Sequence, residues 1–290
     1  MPGARAVPLY LRAALPRPGA RPTTARDVVL SRTGVRPRPD DVAAYCAVVG
    51  QPRGECLPLL YPHLFGFDLQ LRLMGDAAFP FPALGLVQVS NQVTAEQSLA
   101  VTGSYDVQVR AGSVRPHPRG RVVDLVTTVS RHGRPVWYAT STYLRRERAA
   151  ATAGNGASRA DGPPDADASV PDHVGPLHHS ARWRLEGDLG RRYARVSGDV
   201  NPIHLSPWTA RPLGFPRAIA HGMWTAAAVA GALHGRLPDA VRYTVRFRRP
   251  ILLPGTVRLL TAVSGEAADA EVRGRDGDDR VHLYAAFRTP

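Results

Sequence analysis

The chain has 290 residues, 44% of them apolar, and a formal net charge of +13. Two cysteines, Cys46 and Cys56, exclude a disulfide framework and a cysteine-based metal cluster, and they fit a reducing, cytoplasmic compartment. Lys is absent, so every basic side chain is Arg. The Arg residues are scattered with no basic helix or aromatic-interleaved stripe, which argues against a nucleic-acid partner despite the charge.

In chain order, residues 1–24 read as a tail. Its short apolar run is broken by Arg12 and prolines, so it makes a poor signal peptide. Residues 25–146 form a first domain-sized segment. It opens with a helical pattern ending at "AYCAVVGQ" (44–51), followed by the apolar run "LFGFDLQLRLMGDAAFPFPALGL" (64–86). Four stretches of alternating, β-branched character follow, "GLVQVSNQVT", "GSYDVQVRAGSV", "GRVVDLVTTVSR" and "RPVWYATSTYLRR", and they predict strands. Residues 147–176 are rich in Ala, Gly, Pro, Asp and Ser. They have too few large apolar side chains to pack and are expected to be a flexible linker.

Residues 177–290 repeat the plan. "RYARVSGD" (192–199) aligns Tyr193, Val196, Gly198 and Asp199 with Tyr45, Val48, Gly50 and Gln51. In both copies Gly stands where a helix would end in the left-handed conformation. A helix over about 221–234 is apolar all round, contains two His and several Gly, and reads as a buried helix and not a membrane span. "VRYTVRFRRPIL", "GTVRLLTAVSG", "AEVRGR" and "RVHLYAAFRT" then predict strands. Each half therefore reads as helices first and a mainly antiparallel sheet after. The economical arrangement is α+β, a sheet wrapped around a central helix, with the two copies packed as a pseudo-dimer.

The stretch "YARVSGDVNPIHLSPW" (193–208) sets Asp199 and His204 at i and i+5, which is off-face for a regular helix. Gly198 ends the helix and Asn201-Pro202 favours a turn. Two readings stand. One is an ordinary helix end and loop. The other is a loop that turns both side chains into one cavity, where they would hold a water and divide its proton transfers. Further on, His221-Gly222 opens the apolar helix. There free first-turn amides, unobstructed by a Cβ, suit a developing oxyanion. His221 also reads as a buried, hydrogen-bonded core histidine. His63 and His117 read as surface or structural, and His178 and His179 lack the companions of a metal site.

Taken together, "YARVSGDVNPIHLSP", "GFPRAIAHGMWT" and "VRYTVRFRRPILLPG" resemble the hydratase-2 signature of the MaoC-like dehydratases, and the full-length layout resembles their double-hot-dog members. The resemblance implies an α+β double hot-dog. It also implies reversible dehydration of (3R)-3-hydroxyacyl thioesters to trans-2-enoyl thioesters, with no metal and no other cofactor. Asp199 and His204 would be the acid–base pair, Asn201 would shape it, and the Gly222 N–H would meet the thioester oxygen. His221, Pro202 and Met223 would lie beside the substrate, and Leu205 to Pro216 would overhang it. The substrate would be an acyl-CoA or an acyl carrier protein thioester, with the carrier protein itself a partner. The chain would be a monomeric double hot-dog or a homodimer of it. Alternatives within reach are a hot-dog acyl thioesterase and a non-catalytic acyl-thioester-binding subunit. The first half departs from the pattern: Gln51 replaces the acid and "PRGECLPLLYPH" replaces the Asn-Pro-x-His turn. That half is expected to be catalytically dead, with the 64–86 run either plain core or room for a bulky acyl chain.

Overall fold

The computed structural model describes residues 28–83, 85–147 and 173–290. The 1–24 tail and most of the 147–176 linker lie outside these. Ten strands form a single sheet: β1 (Val29–Val35), β2 (Leu86–Ala95), β3 (Tyr105–His117), β4 (Gly120–Arg131), β5 (Arg134–Arg146), β6 (His178–Leu185), β7 (Val241–Phe247), β8 (Gly255–Ser264), β9 (Ala267–Arg273) and β10 (Val281–Arg288). Their spatial order is β1-β3-β4-β5-β2-β7-β10-β9-β8-β6, and every pairing is antiparallel. The order reads the same from either end, half for half, so the internal repeat seen in the sequence is a repeat of topology. The seam is β2 against β7, with Ser90 opposite Arg246 and Ala95 opposite Val241.

All eight expected strands form where the alternation places them. On β3, Tyr105, Val107 and Val109 are buried between exposed neighbours; on β7, Val241, Tyr243 and Val245 do the same work. The expectation that each half begins with helices needs correction. Each begins with a strand, β1 or β6, at the far edge of the sheet. Both strands are largely exposed, so neither carries the apolar alternation that marks an inner strand.

The described residues hold five α-helices: α1 (Pro39–Val49), α2 (His63–Met74), α3 (Leu189–Ser197), α4 (Pro207–Ala210) and α5 (Gly222–Ala232). Pro39 at the first turn and Asp40 and Asp41 at the positive helix end favour α1. Both α1 and α3 end on a glycine in the left-handed region, Gly50 at φ 73° and Gly198 at φ 76°, as the paired sequences predict. The two helices pack together across the seam, with the rings of Tyr45 and Tyr193 6.2 Å apart. Helix α5 is buried from Met223 to Ala230. It packs against β10 and α1, and Trp224 Nε1 donates to the Val48 carbonyl of the other half (2.9 Å). Helix α2 is placed differently, against β1, β3 and β4 towards the outer edge of its half. The end of the expected linker is not free. His173 Nε2 lies 3.1 Å from Glu271 Oε1, and the Val174 N–H donates to Asp269 Oδ2 (2.7 Å). Two carboxylates buried on β9 hold these residues to the sheet.

Candidate active site

The end of α3 and the turn after it hold the Asp199 and His204 side chains. Ser197 Oγ donates to the Tyr193 carbonyl (2.8 Å) and accepts the Asp199 N–H (3.1 Å), which finishes the helix and aims the next residues. Asp199 Oδ1 accepts the Asn201 N–H (3.1 Å), and Asn201 Oδ1 caps the following 3-10 turn, Pro202–His204, by accepting the Ile203 N–H (3.3 Å). Asn201 thus shapes the pair through the backbone. Pro202 starts the 3-10 turn, between Asn201 and Ile203, which line the cavity. Gly190 on α3 lies against the backbone of His204, and a Cβ there would collide with the His204 carbonyl oxygen. Only glycine lets this turn sit so close to α3.

His204 is buried at 7% exposure, and its Nδ1 lies 2.8 Å from the Ile219 carbonyl oxygen. A carbonyl only accepts, so Nδ1 carries the proton and Nε2 keeps its lone pair. His221, 2% exposed, lies in the same way with Nε2 3.0 Å from the Asp199 carbonyl oxygen. Its ring stacks on His204 at 3.7 Å between centroids and against Tyr193 at 4.9 Å. His221 is thus a buried, hydrogen-bonded histidine that clips the backbone of Asp199 and backs the His204 ring, and it also lines the cavity described below.

Burial pushes the Asp199 carboxyl up from its ordinary value, against the opposing pull of His204 and the Asn201 N–H. Burial pushes His204 down, with Asp199 and the Ile219 carbonyl opposing. His221 is pushed well down, by burial first and by the neighbouring His204 second. Neutral imidazoles are the resting state of both histidines at neutral pH.

Ligand atoms of Asp199, His204 and His221 lie within 4.8 Å of one another, close enough to raise the question of a metal. The two rings stack only 26° from parallel. His204 Nδ1 and His221 Nε2 are already committed to backbone carbonyls, and the two rings stack face to face, where a tetrahedral metal draws its ligands from separate directions. The trio suits proton transfer.

These groups face a cavity of ≈ 350 Å³ built by both halves. Asn201, Gly222 and Met223 line it, as do Leu213 and Phe215 from the segment expected to overhang it. Gly222 opens α5, and its N–H has no backbone acceptor among the described residues. A Cβ at Gly222 would fall 2.9 Å from Phe247 Cε1, so glycine lets the start of α5 pack against that ring. Of the two readings of His63, surface or structural, burial excludes the first: it is 3% exposed, in the wall of this cavity beside Leu64 and Phe67, with Nδ1 unpartnered. Sequence reasoning also missed Gly190, the Ile219 carbonyl, and the wall from β2 and β5. Gly190, next to the aligned "RRYARVSGD" stretch, was the one with a local signal.

In the other half, Gln51 occupies the place of Asp199 after its helix, with Nε2 3.4 Å from His234 Nδ1, in a separate cavity of ≈ 360 Å³. Residues 172–281 match the MaoC like domain. The 3-hydroxyacyl-thioester dehydratase X of Mycobacterium tuberculosis is 41% identical over 250 residues, which cover 86% of this chain and 85% of that protein. This chain belongs to the MaoC-like dehydratase family. The crystal structure of HtdX from the same organism superposes on the MaoC-like chain with TM-score 0.76 at 36% identity, over 91% of this chain and 100% of that one. A second M. tuberculosis structure, described as a double hotdog fold, matches with TM-score 0.59 at 16% identity over 90% of this chain and 95% of that one. The α+β double hot-dog expected from the sequence is the fold of this family member. The (R)-specific enoyl-CoA hydratase of Rhodospirillum rubrum is 32% identical over 77 residues, 25% of this chain and 54% of that protein.

Proposed function

We propose that this MaoC-like chain is a hydro-lyase that interconverts (3R)-3-hydroxyacyl thioesters and trans-2-enoyl thioesters. The observation that carries this reading is the orientation of His204. The Ile219 carbonyl holds the proton on Nδ1, leaving Nε2 as a base in a cavity shared with the Asp199 carboxylate. In the hydration direction the pair holds one water. The water oxygen bonds Cβ and the C=C electron pair moves towards the thioester oxygen. The water gives up a proton to the Asp–His pair, and the pair returns a proton to Cα. The Gly222 N–H, at the positive end of α5, stabilises the enolate oxygen. The thioester itself acidifies Cα–H, so the step needs neither metal nor redox cofactor.

Arg119, Arg146, Arg248 and Arg249 stand in the cavity wall, and Asp199 is the one carboxylate lining it among the described residues. Such a cationic approach suits the phosphate of a phosphopantetheine arm, whether it ends in CoA or in an acyl carrier protein. The displaced α2 leaves Leu64, Phe67 and Leu86 lining the cavity, which supports the acyl-chain reading of the 64–86 run. The test is loss of enoyl absorbance with short and long trans-2-enoyl-CoA, followed beside Asp199→Asn. Turnover by the wild type and not by the variant is the expected result. Release of free thiol without hydration would instead mean a thioesterase. Binding without turnover of CoA or carrier-bound substrates would mean a binding subunit.

A further inference from the structure

The half that lacks the acid and the histidine still builds one wall of the cavity, from the start of β2 and the end of β5. Antiparallel register sets Gln88 opposite Tyr143, so the two side chains project from the same face. Both line the cavity with Asp199 and Gly222. The register slips between Gln88 and Ser90, leaving Val89 unpaired. Counting by twos from the buried Asn91 and Val93, an unbroken strand would turn Gln88 to the opposite face. The bulge aims it inward, as bulges beside active sites do.

The Gln88 amide has a poor partner where it stands. Its Nε2 lies 3.6 Å from Met223 Sδ, a thioether and a weak acceptor, on the residue next to Gly222. Phe247, the residue after the last β2–β7 pair, packs its ring on Gly222, so β7 meets the start of α5 where the seam with β2 ends. An enolate oxygen is best held by more than one donor, and Gly222 supplies one.

We propose that Gln88 is the second hydrogen-bond donor to the thioester oxygen, acting with the Gly222 N–H. This rests on the thioester reading above. The Nε2–H group rests on the Met223 sulfur. On binding it turns to the carbonyl oxygen, a stronger acceptor. As water adds to Cβ, the displaced electron pair collects on that oxygen between the two N–H groups, and it returns when Cα takes its proton. The degenerate half is then a source of one substrate-binding group as well as of space.

The experiment compares wild type with Gln88→Leu and with Gln88→Glu, which keeps the shape and removes the donor. The expected result for both is kcat lower by about 100-fold, with KM within about threefold and an unchanged melting temperature. A second readout needs no turnover. 4-(Dimethylamino)cinnamoyl-CoA bound to Asp199→Asn should show a red-shifted absorption band from carbonyl polarisation, and Asp199→Asn/Gln88→Leu should lose most of that shift. A kcat within threefold of wild type, or an undiminished shift, overturns the role of Gln88 and leaves the dehydratase reading standing. A wild-type protein that neither binds nor turns over enoyl thioesters overturns both.

Discussion

In the proposed reaction His204 acts as a base through one nitrogen only, because the other is committed to the Ile219 carbonyl. Replacing it with Gln, or Asp199 with Asn, keeps the shape of the pair and removes its proton chemistry. Turnover should fall by about two to four decades while the circular dichroism and melting temperature stay near wild type. His63 allows a different test. Burial holds it down to about 4 in the folded protein, against an ordinary 6.5. Between those values the unfolded chain binds a proton that the native chain refuses. Its neutral state therefore favours folding fully above pH 6.5, and that support is lost as pH falls towards 4, by up to about 3 kcal/mol. Denaturant unfolding of His63→Leu should show a shallower fall in stability than wild type across that window. Parallel curves for the two proteins would mean that the ring is solvated in the native state.

Among the elements, the contact between α3 and the catalytic turn decides whether the acid–base pair exists. The two elements approach so closely at Gly190 that no side chain fits between them. Gly190→Ala should push the 3-10 turn off the helix, costing about 1–3 kcal/mol of stability. It should also lower kcat by about 100-fold through misplacement of His204. A crystal structure of the variant with an unmoved turn and full activity would contradict this account. The displacement of α2 works at the same scale. With α2 against β1, β3 and β4, and α5 against β10 and α1, the helices of the two halves meet different parts of the sheet.

The two halves form one sheet and share a core, so the molecule stands or falls as a unit. Cutting the chain to residues 173–290 would unpair β7 along the seam and uncover Trp224, whose N–H bonds the other half. That fragment should fail to run as a folded monomer in size-exclusion chromatography and should pair with itself or aggregate. Within the intact molecule the asymmetry of the halves is chemical. Gln51→Ala should leave kcat within about threefold of wild type, since no acid–base group is touched. A loss of decades in a folded Gln51→Ala protein would mean that the second cavity takes part in turnover.

Much of this organisation was legible in the chain itself. Alternation marked eight inner strands, because a strand with one buried face writes its period into the residues. Gly50 and Gly198 marked two helix ends, because the left-handed conformation selects glycine. The order of Asp199, Asn201, Pro202, His204, His221 and Gly222 marked the candidate site, because one turn and one helix start carry all of them. The edge strands β1 and β6 escaped notice because exposed strands need no apolar period. The burial of His63, the proton placement on His204 and the entry of Gln88 and Tyr143 into the site depend on contacts between residues distant in the chain. Only the folded sheet and its helices bring those residues together, so only the tertiary structure decided them.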